Sequence, residues 1–503
     1  MAGALTETGA QYSSVVGIIY VFNLIVGTGA LTMPKAFGEA GWLLGLISVF
    51  LLCIMSLITV TFVVEVMASA NAVLSWKKLQ SLKKAGDISD KDIARQLDPD
   101  FHEETEQSPL LHQSTCRSAK FNASVKPCNY YEISERIEMG QMASTFFSRC
   151  GVNLFYICIA VYLYGDLAIY AAAVPKSLRD VACYKVNVTN NSEGNDETDL
   201  CWPGTESKIT RFSAYRIFLL GFTLFLGPFT FFNAQKTKYL QLFTSVMRWV
   251  AFLIMIIVAA IRLAQGEGHG SPPVAQFAGV PTLFGVCVYS FMCHHSLPSL
   301  VTPMRDKSHL FSLLAAIYVT IFTFYMLLSF TAVFTFSKLE DLYTLNFEPT
   351  GGADAVVNVV FIQYFLALFP VFTLSTNFPI IAITLRNNLS ALFLRDSRSY
   401  HCCVTRLLFP LLTIAPPIVV SFFTNNLEFL VGITGSYAGA GIQYVLPAFL
   451  VYYARLDTRM ILGSGVKNAY RSPFSHTAWV VIVLLWAAAA VVFVTVNHIL
   501  TKL

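Results

Sequence analysis

The chain has 503 residues, 55% of them hydrophobic and only 13% charged, against about a quarter charged in a soluble globular domain. That balance excludes a fold dissolved in water and points to lipid as the solvent. The net charge of +4 is small, and the basic residues sit in short clusters beside apolar runs, which excludes a nucleic-acid partner.

The first dozen residues lack Lys and Arg, and the apolar run after them outlasts a signal-peptide core, so no cleavable leader is expected. Hydrocarbon about 30 Å thick is crossed by roughly 20 apolar residues of helix. Spans are predicted at 13–34, 42–67, 150–174, 214–233, 240–261, 281–303, 310–336, 353–385, 403–424, 428–453 and 477–499. These runs are too long for barrel strands, and lipid tolerates no unpaired peptide groups. The expected fold class is an all-α polytopic membrane protein with about eleven transmembrane helices.

Lys and Arg collect on one side of this scheme. Lys236, Lys238, Arg305, Lys307, Arg386, Arg395, Arg398, Arg406, Arg455, Arg459, Lys467 and Arg471 share the N-terminal side, and the opposite short loops hold little beyond Lys35, Arg262 and Lys338. This bias predicts a cytosolic N-terminus and a lumenal or extracellular C-terminus.

Two hydrophilic segments interrupt the spans. Residues 1–69 hold helices 1 and 2; residues 70–140 are charge-rich and are expected to form a disordered cytosolic insert; residues 141–503 hold helices 3–11. The non-cytosolic loop at 176–212 carries Cys183, Cys201 and the acceptor sequons at Asn187 and Asn190. In an oxidising compartment these predict a Cys183–Cys201 disulfide and two N-glycans. The sequons at Asn122 and Asn388 fall on the cytosolic side and are expected to stay unmodified, and the remaining cysteines read as inert packing.

The first span runs Asn23-Leu24-Ile25-Val26-Gly27-Thr28-Gly29-Ala30-Leu31-Thr32-Met33-Pro34. Two glycines one residue apart, followed by a proline, weaken a helix in mid-membrane. An unwound turn at that depth must be buried in protein or line a wet cavity, where its free N–H and C=O groups can hold a solute carboxylate and a cation. A glycine-based helix contact followed by a proline kink is the plain alternative. The sixth span, from Gly285 to Pro298, likewise mixes small, polar and helix-breaking residues, including Tyr289, Ser290, Phe291, Cys293, His294 and His295. Interruptions at helices one and six are what two inverted five-helix repeats produce, and they favour a transporter.

These runs resemble a known family. The first matches the Asn-x-x-x-Gly-Ser/Thr-Gly-x-Leu-x-x-Pro pattern of the amino acid/auxin permease superfamily, at Asn23, Gly27, Thr28, Gly29, Leu31 and Pro34. Ser290 to Pro298 resembles that superfamily's sixth helix, Gly432 to Tyr437 with Pro447 its tenth, and Asn377 to Asn388 the end of its eighth. With Tyr162 to Tyr170 added, most of the membrane part is similar to the transmembrane protein 104 family; the likeness fades in 70–140 and 183–205. The resemblance implies a five-plus-five inverted-repeat (LeuT-like) fold with one extra helix, and secondary transport of amino acids. It also implies that Gly27, Thr28 and Gly29 bind substrate. Asn23 would help hold sodium, completed by a hydroxyl of the eighth helix, Thr376 first and Ser375 second; the hydroxyl-to-Pro379 spacing departs slightly from the relatives' pattern.

Ionisable residues inside spans are costly and usually functional. Asp166, flanked by Tyr162, Tyr164 and Tyr170, is a candidate for coupling; a structural hydrogen bond to a neighbouring Tyr is the alternative. His294 and His295 titrate in a range that suits a proton-coupled cycle, although a neutral packing histidine is commoner. Glu65 and Arg248 can snorkel and read as structural. Enzyme motifs are missing, and no second aspartate is placed to complete an aspartyl dyad with Asp166. No organic cofactor is expected, only sodium or protons as coupling ion.

The leading reading is a cation-coupled carrier of small neutral amino acids, with Gly27 to Gly29 on the carboxylate and Tyr289 to Cys293 lining the side-chain pocket. The other is an amino-acid sensor or scaffold that keeps the fold and signals through 70–140. Glu106, Leu110 and Leu111 form an acidic dileucine signal of the kind cytosolic sorting adaptors read, which predicts a lysosomal or endosomal membrane, with the plasma membrane as the alternative. Changing Leu110 and Leu111 to Ala is expected to move the protein to the cell surface, measured by surface biotinylation.

Overall fold

The computed structural model describes residues 11–84, 130–183, 197–202, 208–231, 238–348, 359–394, 407–463 and 465–502. Glu106, Leu110, Leu111, Asn187 and Asn190 lie outside the described residues. The elements are α1 (Ser14–Ile25), α2 (Thr28–Ala40), α3 (Trp42–Lys84), α4 (Met139–Phe146), α5 (Arg149–Ala182), α6 (Arg211–Leu226), α7 (Lys238–Ala264) and α8 (Val280–Ser290). They continue as α9 (Leu297–Val301), α10 (Leu310–Thr335), α11 (Val360–Phe393), α12 (Phe409–Phe423), α13 (Leu427–Thr434), α14 (Leu446–Leu462) and α15 (Thr477–Lys502).

No strand forms among the described residues, and nine helical stretches there are long and apolar enough to cross a bilayer. The chain is an all-α polytopic membrane protein. Of the expected spans, two fall outside those nine. The first is split into α1 and α2, and the ninth is the short α12. The tenth passes from α13 through two π-helical turns, Gly435–Gly439 and Gly441–Val445, into α14.

The helix that holds the second span runs on past residue 67, since α3 continues to Lys84 with Ala70, Ala72 and Val73 buried. Asn71 secures the returning chain: its Nδ2 donates to the Glu135 carbonyl at 3.2 Å and its Oδ1 accepts from Glu135 N–H at 2.8 Å. Tyr131 and Ile133 pack there, so both ends of the polar 70–140 insert are ordered structure, and residues 85–129 lie outside the described residues.

Polar clamps mark both ends of the bundle. On the disulfide face, Cys183 joins Cys201 just after α5. Lys176 of α5 donates to both carboxylate oxygens of Asp341 at 2.6 and 2.7 Å, and Asp341 also accepts from Leu427 N–H at the start of α13, where a negative charge suits the helix dipole. Asp180 accepts from Arg179 and Arg211 at 2.7 and 2.6 Å, and Lys35 of α2 pairs with Glu428 of α13 at 3.0 Å. On the other face, Glu65 takes Arg455 through both oxygens at 2.9 and 2.6 Å and accepts from Ser472 N–H. Glu65 is therefore a strut between α3 and α14, as its position in the span suggests.

Burial alone would raise the Asp341 carboxyl, but the Lys176 ammonium and the Leu427 N–H outweigh it and hold the group below its ordinary range. A depressed carboxylate contributes stability above its unfolded pKa and loses it as pH falls through the folded value. The clamp should thus survive mild acidity and fail only below the usual aspartate range. Asp341→Ala strands Lys176 and is expected to cost about 3 kcal/mol, read as a lower thermal midpoint of the purified protein near neutral pH and no difference from wild type in strong acid.

Candidate functional site

Two helices come apart where the sequence places Gly and Ser. α1 ends at Ile25, Val26 and Gly27 leave helical geometry, and α2 restarts at Thr28. α8 ends at Ser290, and helix resumes only through the short turn His294–Ser296 into α9. The breaks touch. A Cβ on Gly29 would stand 2.3 Å from Ser290 Oγ and 2.8 Å from Ser290 Cα, so only glycine allows the approach. Farther along α8, a Cβ on Gly285 would meet the Gly432 carbonyl oxygen at 2.1 Å, and one on Gly435 the Gly285 carbonyl oxygen at 1.9 Å, so α8 packs on the tenth span backbone to backbone.

Breaking a helix frees carbonyls that need donors. The Tyr325 hydroxyl on α10 reaches both breaks, 3.2 Å from the Ile25 carbonyl and 2.9 Å from that of Ser290. Arg248 on α7 donates from Nη1 to the carbonyls of Asn23 at 2.5 Å and Val26 at 2.8 Å. Trp249 Nε1 donates to Asn23 Oδ1 at 3.0 Å, while its ring stacks on Phe22 at 4.1 Å.

A cavity of about 450 Å³ lies beside the breaks. Gly27, Thr28 and Gly29 line it with Asp166, Tyr170, Tyr162, Tyr289, Met292 and His295, and it runs on to Thr384, Asn387 and Asn388 at the end of α11 and to Arg136, Glu138 and Gln141 at the start of α4. Its mouth is therefore on the face opposite the disulfide. Asp166 is 8% exposed and accepts from the Tyr289 hydroxyl, which ties α5 to α8 across the cavity. The Tyr162 ring stands 6.1 Å from Tyr289 and 5.6 Å from His295. At the head of α2, Ala30 N–H is taken by the Gly27 carbonyl, and no hydrogen bond within the protein is made by Thr28 or Gly29 N–H among the described residues. Those two donors sit at the positive end of the helix dipole.

The sequence-derived residues divide into two groups. Gly27, Thr28, Gly29, Tyr289 and Asp166 share the cavity. Ser290 Oγ folds back on its own helix, donating to Val286 O at 2.7 Å beside Gly29, while Phe291 and Cys293 turn toward α10: Phe291 stacks with Tyr318, and Cys293 Sγ meets the Tyr318 hydroxyl at 3.4 Å. His294 is buried with Nε2 on Thr59 Oγ1 at 2.9 Å and lies outside the cavity lining, whereas His295 lines it. Tyr170 and Tyr162 are missed as lining residues, although their spacing of four from Asp166 puts all three on one helix face. Tyr164, also beside Asp166, points away to the Leu412 carbonyl at 2.9 Å.

Asn23 and Thr376, expected to help hold sodium, are engaged within the protein. Asn23 Oδ1 accepts from Trp249, the carbonyls of Asn23 and Val26 accept from Arg248, and Thr376 Oγ1 donates to Thr373 O within α11 at 2.9 Å. A free cation beside the guanidinium would also be repelled, by about 4 kcal/mol at a separation of about 4 Å and an effective dielectric of about 20.

A membrane bundle with two broken helices facing one cavity has the build of a solute carrier. Residues 126–496 match the family described as "Transmembrane amino acid transporter protein". Over the full chain the sequence is 55% identical to human Transmembrane protein 104, of which 99% is covered. A Drosophila melanogaster homolog of that protein is 46% identical, with 98% of each chain covered, and one from Dictyostelium discoideum is 34% identical with both chains covered in full. The chain belongs to the transmembrane amino acid transporter family, in its transmembrane protein 104 branch.

The contacts separate the two glycines of the first break. Gly29→Ala is expected to destabilise the protein by about 2 kcal/mol through overpacking. A Cβ on Gly27 meets nothing within 4 Å, so Gly27→Ala should melt with the wild type. Thermal denaturation of the two purified variants measures both.

Proposed function

We propose that the chain is a secondary active transporter of small neutral amino acids, coupled to an ion gradient. In this reading it crosses the membrane eleven times, as two inverted five-helix repeats plus α15, with a cytosolic N-terminus and an endosomal or lysosomal address. It is not an enzyme.

The observation that carries the proposal is the pairing of unlike groups across one cavity. Thr28 and Gly29, whose N–H groups make no backbone bond among the described residues, line the same space as Asp166, a buried carboxylate. An amino acid has the complementary ends. Its carboxylate suits Thr28 and Gly29 N–H at the helix dipole, and its ammonium suits Asp166, which accepts from the Tyr289 hydroxyl. Tyr162, Tyr289 and Met292 leave an uncharged surface for a side chain, and about 450 Å³ is at the scale of small-ligand sites.

The cavity opens on the face of the N-terminus while the ion pairs of the disulfide face are made, and with a cytosolic N-terminus this is the inward-open conformation. Transport then requires those pairs to break, and the mouth between α4 and α11 to close, as one group of helices rocks against the other. Asp166 and Tyr289 sit on opposite sides of the cavity, and a substrate ammonium competing for Asp166 would release Tyr289.

The test is uptake of a panel of labelled amino acids into proteoliposomes. Removing one charged hydrogen bond costs about 1.5–3 kcal/mol, so Asp166→Asn is expected to cut uptake by about ten- to a hundred-fold. Gly27→Val, whose Cβ would meet nothing within 4 Å, should abolish uptake and leave the thermal midpoint close to that of the wild type. Undiminished uptake by both variants would remove the site.

A further inference from the structure

We infer that Arg248 is a resident cation, fixed to the protein at the place where a sodium-coupled carrier would bind its ion, so that sodium takes no part in this protein's cycle. The inference rests on the transporter reading for its meaning and on geometry for its substance. The last carbonyls of α1 form the negative end of a helix dipole inside the membrane, and a positive charge is favoured there. Arg248 supplies it through two hydrogen bonds from one nitrogen, to Asn23 and Val26.

Three further features of the surroundings suit a guanidinium. Among the described residues no carboxylate lies within ion-pair distance of Arg248, so the helix end itself is its counter-charge. The groups around it are the hydroxyls of Tyr170 and Tyr325, and Tyr325 also reaches the Ile25 carbonyl of the same break. Its chain neighbour Trp249 takes the Asn23 amide oxygen, the one side-chain oxygen in this break that the resemblance offered to sodium.

A bound ion couples transport by arriving and leaving with the substrate. A tethered guanidinium cannot leave, so it holds the break open in every state and leaves coupling to another species, or to the substrate gradient alone.

The experiment measures binding of radioactive sodium to the purified full-length chain by scintillation proximity, alongside thermal stability. Wild type is expected to show no saturable sodium binding and the same thermal midpoint in sodium and choline chloride. Arg248→Ala should lower the midpoint, and millimolar guanidinium, but not tetramethylammonium, should restore part of the loss. Should Arg248→Ala fail to fold, Arg248→Lys and Arg248→Gln replace it, and the lysine variant, which keeps the charge, should be the more stable. Saturable sodium binding to wild type that Asn23→Ala removes would overturn the inference, and so would a glutamine variant as stable as the lysine one. In proteoliposomes, uptake that falls about tenfold or more, a difference of about 1.4 kcal/mol, when choline replaces sodium would also overturn it. Absence of uptake for every amino acid tried would instead count against the transporter reading, while the binding assay still decides the role of Arg248.

Discussion

In hydrocarbon, a peptide N–H or C=O without a partner costs several kcal/mol, so a helix can open at membrane depth only if the rest of the protein receives what it frees. The account of this chain hangs on how that demand is met at the first break. Three of the four carbonyls from Asn23 to Val26 have side-chain donors, from Arg248 on α7 and Tyr325 on α10, and the Asn23 side chain is fixed by Trp249. Tyr325 also takes the carbonyl at the end of α8, so one hydroxyl registers the two breaks against each other. What remains without a backbone partner among the described residues is the donor side, at the head of α2, in residues that line the cavity.

The rest of the bundle follows from keeping these two breaks adjacent. Gly29 lets α2 lie on Ser290, and the Gly285–Gly435 contact lets α8 lie on the tenth span. Asp166 then reaches Tyr289 across the space that these approaches leave. Ion pairs lie at the disulfide face and at the Glu65–Arg455 strut rather than around the cavity floor. Strong polar contacts hold the ends of the bundle while its middle keeps one carboxylate, several hydroxyls and exposed backbone, which is a distribution suited to a small polar solute.

Much of this was legible in the sequence. Gly27 and Gly29 near Pro34, and the small and polar run from Gly285 to Pro298, located both breaks because few residues tolerate non-helical backbone. Cys183 and Cys201, in the one large loop of their face, announced their bond. The side-chain directions at the second break were not legible: past Ser290 the helical period no longer says which way a residue points, and Phe291 and Cys293 turn toward α10 instead of the cavity. Arg248 and Tyr325 were hidden for a different reason. Their partners at the first break are main-chain carbonyls more than two hundred residues away, and a carbonyl carries no residue-type signal. The extension of α3 escaped because Ala-rich, Asn-containing helix beyond residue 67 lacks the hydropathy of a span. For Asp166 the two readings, a hydrogen bond to tyrosine and a functional carboxylate, are both satisfied by the same contact.

The most direct measurement is an electron cryo-microscopy map of the purified protein in lipid nanodiscs, resolved well enough to trace main-chain carbonyls. It should show α1 and α8 stopping at Ile25 and Ser290, density from Arg248 joining the carbonyls of Asn23 and Val26, and an open space bounded by Gly27 and Asp166. Two unbroken rods through the first and sixth spans, with Arg248 turned out toward the lipid headgroups, would contradict the account at its root.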